Sequence, residues 1–330
     1  MDSLITLDQR QWGAPRRRGA APLTLEHTDC CLCGLDDATP VAVGEDFEYR
    51  TSPDYFLAVQ CRRCGLVYLN PRPSSDSLTQ IYPPDYHAFE FSAATFGLVY
   101  RVRRRLEARR LLAYCRGLPS QAHILDVGCG DGFHLDLLRE YGQPGWQLEG
   151  VDPSELAATA AQRRGLQVHH GTIQALDLPA ASYDLAFMIA TVEHVDDPVG
   201  VVQAVRSRLK PGGRLVIVTD NTATLDFALF KRRHWGGYHF PRHWNLFSPG
   251  TIRTLASRVD MEIESLGTQV SPVNWVYSLR NALVDAAAPA WLINSFSLKS
   301  TLALGVFTLV DMGFQALGRG ALLRVVLRRP

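Results

Sequence analysis

Four cysteines form two matched pairs: two residues separate Cys30 from Cys33 and Cys61 from Cys64, and a glycine follows each pair. A C-x2-C turn lets two thiolates approach one ion, and two such turns complete a tetrahedral set of ligands. Zinc is the metal that this set favours, and four protein ligands leave no open position. We therefore predict a structural Zn2+ site, with a redox dithiol as the competing interpretation. Cys31 stands beside Cys30, and the spacing allows either to be the ligand.

A second group of reactive side chains lies in the stretch RRHWGGYHFPRHWNLFSP, which contains three histidines, one tyrosine, two tryptophans and two phenylalanines. A neutral histidine is the usual general base near pH 7. We interpret this stretch as the wall of a substrate pocket. His239, or His194 from another loop, would be the base, and Tyr238 or Arg242 would orient the substrate.

Two alternatives compete with the pocket wall. A metal site is one, because His239 and His243 have a helical ligand spacing, but Pro241 lies between them and no acid or cysteine nearby in the sequence supplies a third ligand. We therefore do not expect a metal there. Structural packing is the other alternative for the large aromatic residues, because tryptophans anchor loops well; these are Trp235, Trp244 and Phe247.

A glycine turn after an apolar strand is expected to carry a nucleotide-containing cofactor. The segment HILDVGCGDGFHLDLLREYG predicts a buried strand, then Gly128, Gly130 and Gly132, then an amphipathic helix. Glycines at such a turn let the backbone approach a ligand at the carboxyl edge of a parallel sheet. A dinucleotide fingerprint would require glycine where Phe133 stands, so we do not expect a pyrophosphate. The next strand ends in Asp152, an acid placed to accept hydrogen bonds from both ribose hydroxyls.

Strands and helices continue to alternate after this turn. A fourth strand is predicted in YDLAFMIATVEHVDDP and a fifth after the Pro-Gly-Gly turn of RLKPGGRLVIVTDN, and two more follow towards the C-terminus. The pattern predicts a doubly wound, seven-stranded, mostly parallel α/β sheet. Before the last strand lie two mostly apolar helical stretches, at about 278–296 and 298–316. We expect them to form a substrate cap, with peripheral contact to a membrane as the alternative.

These motifs together resemble the class I S-adenosylmethionine-dependent methyltransferases. LDVGCGDG is similar to that family's first motif, VD at 151–152 to its acidic motif, SYDLAFMIATVEHV to its fourth-strand motif and LKPGGRLVIV to its fifth. The resemblance implies that S-adenosyl-L-methionine is the cofactor, that the three glycines shape the pocket for its methionine end and that Asp152 holds the ribose. It also implies three roles for His194, which acts as base, holds the loop or touches the cofactor. The remaining cofactor contacts that it implies are Asp126, Thr172, Ile173 and Ala190.

The expected organisation is a flexible tail over 1–25, a zinc-knuckle domain over 26–90 and a methyltransferase domain over 91–330. The 34 basic residues balance 33 acidic ones, which disfavours a nucleic-acid partner. The N-terminus has no apolar signal segment, and the apolar runs are shorter than the ~20 residues of a spanning helix. We therefore expect a cytoplasmic protein; the sequence does not indicate its oligomeric state.

The function that we expect is methyl transfer to an oxygen or carbon of a small molecule, for which a hydrophobic metabolite is one option. Two alternatives stay open. One is an RNA methyltransferase that grips nucleic acid with its zinc domain and with the six arginines between Arg101 and Arg110. The other is a non-catalytic module that binds only a cofactor or a partner.

Overall fold

The computed structural model describes residues 21–83 and 93–330, so most of the predicted tail lies outside the described residues. The strands are β1 (Leu25–Glu26), β2 (Ala38–Gly44), β3 (Phe56–Cys61), β4 (Val67–Leu69), β5 (Arg72–Pro73), β6 (His123–Val127), β7 (Gln147–Asp152), β8 (Gln167–His170), β9 (Tyr183–Ile189), β10 (Leu209–Asp220), β11 (Asn245–Leu246), β12 (Glu262–Gln269) and β13 (Leu322–Arg328). The α-helices are α1 (Leu78–Ile81), α2 (Ala93–Tyr114), α3 (Phe133–Tyr141), α4 (Glu155–Arg163), α5 (Pro198–Arg208), α6 (Leu225–Phe230), α7 (Pro249–Arg258), α8 (Val273–Asp285), α9 (Ala290–Ser295) and α10 (Thr301–Ala316).

The larger sheet has seven strands in the order β12-β13-β10-β9-β6-β7-β8. Strands β8, β7, β6, β9 and β10 run parallel, and β13 is antiparallel to both of its neighbours. Helices cover both faces of a parallel sheet, which is why its strands are continuous apolar runs such as the buried Leu185–Met188. The predicted doubly wound, mostly parallel fold is confirmed. Its strand order reverses between β6 and β9, where a ligand crevice is expected.

A smaller antiparallel sheet contains β2, β3 and β4, and its edge strand is β11. Asn245 pairs with Tyr68 and Leu246 with Val67, so a segment from the predicted methyltransferase domain completes the sheet that follows the first cysteine pair. The end of the predicted tail also has structure, because Leu25 lies in β1 and pairs with β5. Both predicted domains therefore contribute strands to one sheet.

One hydrophobic core also runs through both parts of the chain. It joins Leu32 and Leu66, beside the cysteine pairs, to residues of the large sheet and its helices such as Val192 and Ile252. A second cluster packs Trp235, Tyr238, Phe240, Trp244 and Leu246 against the smaller sheet. These aromatic side chains of the histidine-rich stretch are therefore core residues. For the two tryptophans, this agrees with the alternative of structural packing.

The insertion between β12 and β13 contains three helices, whereas the sequence predicted two. The first begins at Val273 and ends at Asp285, earlier than predicted, and Pro289 separates it from α9. The residue before a proline is biased away from helical backbone, which explains the break. Among the described residues, no helix combines the length and the apolar character needed to cross a membrane.

Candidate active site and metal centre

The glycine turn joins the carboxyl end of β6 to α3, and its three glycines have positive φ angles of 74°, 56° and 82°. A Cβ on Gly128 would lie 2.5 Å from Thr191 Cγ2, and one on Gly132 would lie 2.3 Å from Leu166 Cδ1. A Cβ on Gly130 would meet no atom within 4 Å. Gly128 and Gly132 therefore allow close packing, while Gly130 borders open space where the backbone can approach a ligand.

Two buried carboxylates flank this turn. Asp152 accepts hydrogen bonds from the backbone N–H groups of Gly130 and Ser154, both at 2.8 Å, and burial raises its pKa. Asp126 is 1% exposed, and its Oδ2 makes no hydrogen bond among the described residues; His134 Nδ1 lies 3.6 Å away. A buried carboxylate oxygen without a donor is costly unless a ligand supplies one. This orphaned oxygen fits the ammonium group of S-adenosylmethionine, and the carboxylate of Asp152 keeps lone pairs for the ribose hydroxyls.

The remaining predicted cofactor residues lie at the same edge of the sheet. Thr172 is exposed and Ile173 is buried in the turn after β8, while Ala190 is exposed directly after β9 with a φ of 52°. The carboxyl ends of parallel strands meet at one edge, so all eight predicted cofactor residues lie at or next to this edge of the sheet.

An acid–histidine cluster, formed by Glu193, His194, Asp220 and His243, lies at the carboxyl ends of β9 and β10. The rings of His194 and His243 have centroids 4.5 Å apart, and His243 Nδ1 is 3.2 Å from Asp220 Oδ2. Glu193 is 2% exposed and accepts a hydrogen bond of 2.8 Å from the Thr219 hydroxyl. The two loops that the sequence expected to converge do so here.

The cluster holds its two histidines in different protonation states. Burial lowers the pKa of His194 well below the usual value of 6.5, and the charges of His243 and His239 lower it further. Burial also opposes a charge on His243, but the hydrogen bond and charge of Asp220 and the charge of Glu193 outweigh it and raise its pKa. Burial raises the pKa of Glu193 to about 7. His194 is therefore the neutral imidazole of the pair near pH 7.

Tyr82 is a member of this site that the sequence reasoning missed. Its hydroxyl lies 2.9 Å from His194 Nδ1, which is also 3.2 Å from the carbonyl of Arg242. Burial raises the pKa of Tyr82, and the negative charges of Glu193 and Asp152 raise it further. This side chain therefore interacts electrostatically with both the cluster and the cofactor residue Asp152. Tyr82 is 112 residues from His194, and no local pattern marks it.

Nδ1 of His194 has two hydrogen-bond partners. The Tyr82 hydroxyl can donate to Nδ1 or accept from it, whereas a carbonyl oxygen can only accept, so the contact with Arg242 is a hydrogen bond in the tautomer that has its proton on Nδ1. Nε2 then has the lone pair that a base requires.

The fold brings an acid close to two of the histidines, which the local sequence does not show. Ligand atoms of Glu193, His194 and His243 all lie within 4.8 Å of one another, so the fold supplies the acidic third group that the local sequence lacks. The expectation that no acid would supply a third ligand was therefore wrong for His243.

The two predicted orienting residues are not at the crevice. Tyr238 is 1% exposed and its hydroxyl donates to the carbonyl of Lys231 at 2.6 Å. Arg242 is 0% exposed, and its guanidinium binds both carboxylate oxygens of Asp46 at 3.2 and 3.0 Å. Both side chains have their polar groups satisfied inside the protein, and we assign them to the fold.

His239 occupies the edge of the cluster. Its Nδ1 lies 2.6 Å from Glu48 Oε2, and its ring centroid is 5.0 Å from that of His243. It lines a small cleft together with Glu48 and Tyr277. A carboxylate bonded to Nδ1 can orient an imidazole for proton transfer, so His239 is a second candidate for the base beside His194.

The buried Arg242–Asp46 pair predicts a stability effect. Replacing Arg242 by methionine would leave the Asp46 carboxylate buried without its cation, so we expect the free energy of unfolding to fall by about 3–5 kcal/mol in urea titrations. The matched control is Arg328→Met, because its partner Glu262 is 55% exposed at the side chain; this change should cost less than about 1 kcal/mol. Adding Asp46→Asn to Arg242→Met should recover part of the loss, and equal effects of the two single changes would contradict the assignment.

The four paired cysteines are adjacent in the structure. The Sγ–Sγ distances are 3.5 Å for Cys30–Cys64, 3.4 Å for Cys33–Cys61 and 3.9 Å for Cys33–Cys64. Four sulfurs at about 2.3 Å from a tetrahedral zinc would be separated by about 3.8 Å. Cys31 instead contacts Asn245 Oδ1 at 3.2 Å, so the cluster contains Cys30. The four thiols fit a structural zinc ion.

Two of the six arginines on which the RNA alternative depends have acidic partners, while Arg101, Arg105 and Arg109 are exposed. Arg104 contacts Asp136 at 3.0 Å and also Glu140, and Arg110 contacts Glu107 at 2.6 Å. Acids next to arginines weaken the positive potential that a phosphate backbone requires. These contacts do not favour a continuous basic face.

Known methyltransferases are similar to this chain in sequence. A family described as "Methyltransferase domain" matches residues 100–266, from α2 into β12. The ubiquinone biosynthesis O-methyltransferase of Cereibacter sphaeroides is 30% identical over 175 residues, which are 49% of this chain and 70% of that protein. A protein of the same name from Leptothrix cholodnii is 37% identical over 114 residues, 32% of this chain and 47% of that protein.

Solved structures also match. A S-adenosylmethionine-dependent methyltransferase from Thermotoga maritima, described as a possible histamine N-methyltransferase, has a TM-score of 0.47 at 20% identity and covers 76% of this chain and 100% of its own. Geranyl diphosphate C-methyltransferase from Streptomyces coelicolor A3(2) has a TM-score of 0.48 at 13% identity, covering 70% of this chain and 77% of its own.

Proposed function

Because this chain belongs to the S-adenosylmethionine-dependent methyltransferase family, we propose that it methylates a hydroxyl oxygen of a small hydrophobic molecule, with His194 as the general base. The observation that carries this proposal is the neutral imidazole of His194, which lies at the carboxyl edge of the sheet with its Nδ1 bonded to a carbonyl. A hydroxyl group needs a base to become a strong nucleophile, whereas an amine or an activated carbon does not have the same requirement.

The residues around the glycine turn would hold the cofactor. Asp126 offers its unpaired oxygen to the ammonium group, Asp152 its carboxylate to the ribose, and Gly130 an open approach to the backbone. When bound, S-adenosylmethionine supplies a methyl group on a positively charged sulfur. The protein's own contribution is then to position a hydroxyl group and to remove its proton.

The acid–histidine cluster is suited to that proton transfer. In the proposal, Nε2 of His194 takes the hydroxyl proton while the Arg242 carbonyl keeps Nδ1 protonated. The Tyr82 hydroxyl contacts the same Nδ1 at 2.9 Å and helps to fix the ring, and the carboxylate of Glu193 lies close enough to stabilise the imidazolium that forms. Asp220 raises the pKa of His243, and a positive charge on His243 adds to the effect of burial in lowering the pKa of His194.

The relatives support oxygen as the acceptor. Both named proteins are ubiquinone biosynthesis O-methyltransferases, so a hydroxylated quinone precursor is the first substrate class to test. The matched residues include neither strands β1 to β5 nor the helical insertion, so the substrate is proposed from the relatives alone.

Radioactive methyl transfer and calorimetry test this function together. We expect the wild type to bind S-adenosylmethionine and to label hydroxylated aromatic compounds, with little labelling of RNA. Asp152→Ala should bind the cofactor about a hundredfold more weakly, because it loses hydrogen bonds to a charged acceptor. Glu264→Ala is the control, since Glu264 lies in β12 at the far side of the sheet order. Normal cofactor binding with labelling of RNA alone would overturn the small-molecule proposal.

A further inference from the structure

Helix α10 is fixed to the protein by one side only. Trp275 stacks against Phe307 and Phe314, with ring centroids 5.8 and 6.1 Å apart. Asp311 is 1% exposed and accepts a hydrogen bond of 3.1 Å from the backbone N–H of Ala321. These three helix residues are spaced by four and three positions, so they define an inner stripe that faces the protein.

The outer stripe of α10 is apolar and exposed. Solvated faces of helices normally carry charged or polar residues. The only charged residue within α10 is the buried Asp311. Large apolar side chains instead stand in solvent along the helix and on the preceding α9: Trp291 is 73% exposed, Leu302 78%, Val306 48%, Leu309 70% and Met312 51%. A contiguous apolar surface of this kind marks a docking site.

The two charged residues that flank α10 in the sequence are both basic. Lys299 and Arg319 lie just beyond the two ends of α10. Apolar side chains with cations at the rim match a bilayer that carries anionic headgroups.

We propose that the outer face of α10, together with Trp291, docks on the surface of an anionic lipid bilayer. The helix has 16 residues and is therefore about 24 Å long at 1.5 Å per residue, which suits a helix lying in the interface. A second copy of the chain fits less well. Both ends of α10 are cationic, so pairing the helices in either direction would place like charges side by side.

Docking would bring the candidate active site to the membrane. Helix α8 of the same insertion contacts the end of β10 and the loop that follows it. Ser278 Oγ accepts from Gly236 N at 2.8 Å, and Asn274 Nδ2 donates to Asp220 Oδ1 at 2.7 Å. The insertion thus packs on the site with one side and presents lipid-compatible residues on the other. This inference goes beyond the proposed reaction and does not depend on it.

Vesicle flotation of the full chain tests the docking. We expect binding to vesicles of phosphatidylcholine with phosphatidylglycerol that weakens in high salt, and weaker binding to phosphatidylcholine alone. Leu302→Glu/Leu309→Glu should reduce partitioning at least about a hundredfold, because two leucines lose their burial. Leu156→Glu is the matched control: this leucine is 58% exposed, on α4, which connects β7 and β8 at the other edge of the sheet.

A second variant separates charge from burial. Lys299→Gln/Arg319→Gln should remove the preference for phosphatidylglycerol while leaving weak binding to phosphatidylcholine. Thermal melts confirm that each variant is folded. Wild-type protein that does not float with either vesicle, or that floats equally well with Leu302→Glu/Leu309→Glu, would overturn the proposal. A dimer that this double variant dissociates, without vesicle binding, would assign the face to a second copy instead.

Discussion

Replacing His194 by alanine is expected to lower kcat by about 10²–10⁴-fold, the usual contribution of a general base. The affinity for S-adenosylmethionine should change little, because His194 is bonded to Tyr82 and Arg242 and not to the glycine turn. Calorimetry and steady-state kinetics measure the two quantities separately. The control is His27→Ala, since His27 is exposed. His239→Ala tests the second candidate, whose Nδ1 is bonded to Glu48; a larger loss of kcat in this variant than in His194→Ala would transfer the role of base to His239.

The pH profile gives an independent readout of the same assignment. A base whose pKa is lowered stays neutral to a lower pH, so kcat/KM should not fall as the pH decreases through 6.5. His243→Gln removes a positive charge that lowers the pKa of His194, and the acid limb should then move to higher pH. A wild-type limb near 7 would instead indicate Glu193, whose pKa is about 7.

The parts of the structure that the sequence predicted are those set by local spacing. A buried strand followed by three glycines and an amphipathic helix can be recognised from about twenty consecutive residues. Asp152 follows at the end of the next strand, and the two C-x2-C pairs each form within one turn. The parallel order of the sheet follows from the alternation of these units, because crossover connections have one preferred hand.

The parts that the sequence missed depend on contacts between distant segments. Arg242 pairs with Asp46 across 196 residues, and Tyr82 reaches His194 across 112. No periodicity marks either contact, so Arg242 was assigned to the pocket when it is a buried ion pair. Glu193 was seen as part of the loop after β9, but its closeness to His243 arises only when that loop meets the one after β10.

The unusual composition of residues 232–249 has a structural explanation. This single segment packs aromatic side chains under the smaller sheet, supplies β11 to that sheet and places His243 in the cluster. Its tryptophans and Tyr238 are needed for the first task, and His243 belongs to the third. Composition alone cannot distribute residues between such tasks, since a histidine in a core and one at a catalytic site look the same in sequence.

The purified protein is expected to contain one zinc ion per chain, and Cys61→Ser should abolish stoichiometric zinc. Atomic absorption measures the metal, and thermal unfolding the consequence. Structural zinc in small peptides contributes about 10–16 kcal/mol of apparent binding free energy, so its loss should strongly destabilise the fold. Cys31→Ser is the matched control, because Cys31 contacts Asn245 and not the four-sulfur cluster; loss of zinc in this variant, with retention in Cys30→Ser, would reverse the ligand assignment.

Zinc removal should also reduce methyl transfer, although the four sulfurs lie outside the cofactor crevice. Strand β4 follows the second cysteine pair and pairs with β11, and the backbone N–H of Trp244, just before β11, donates to the carbonyl of Glu193 at 2.7 Å. A melted cysteine module would therefore release the loop that positions His243 and His194. The expected signature is a fall in kcat larger than the fall in cofactor affinity, since the glycine turn belongs to the other sheet. Equal losses in both would mean that the whole chain unfolds without the metal.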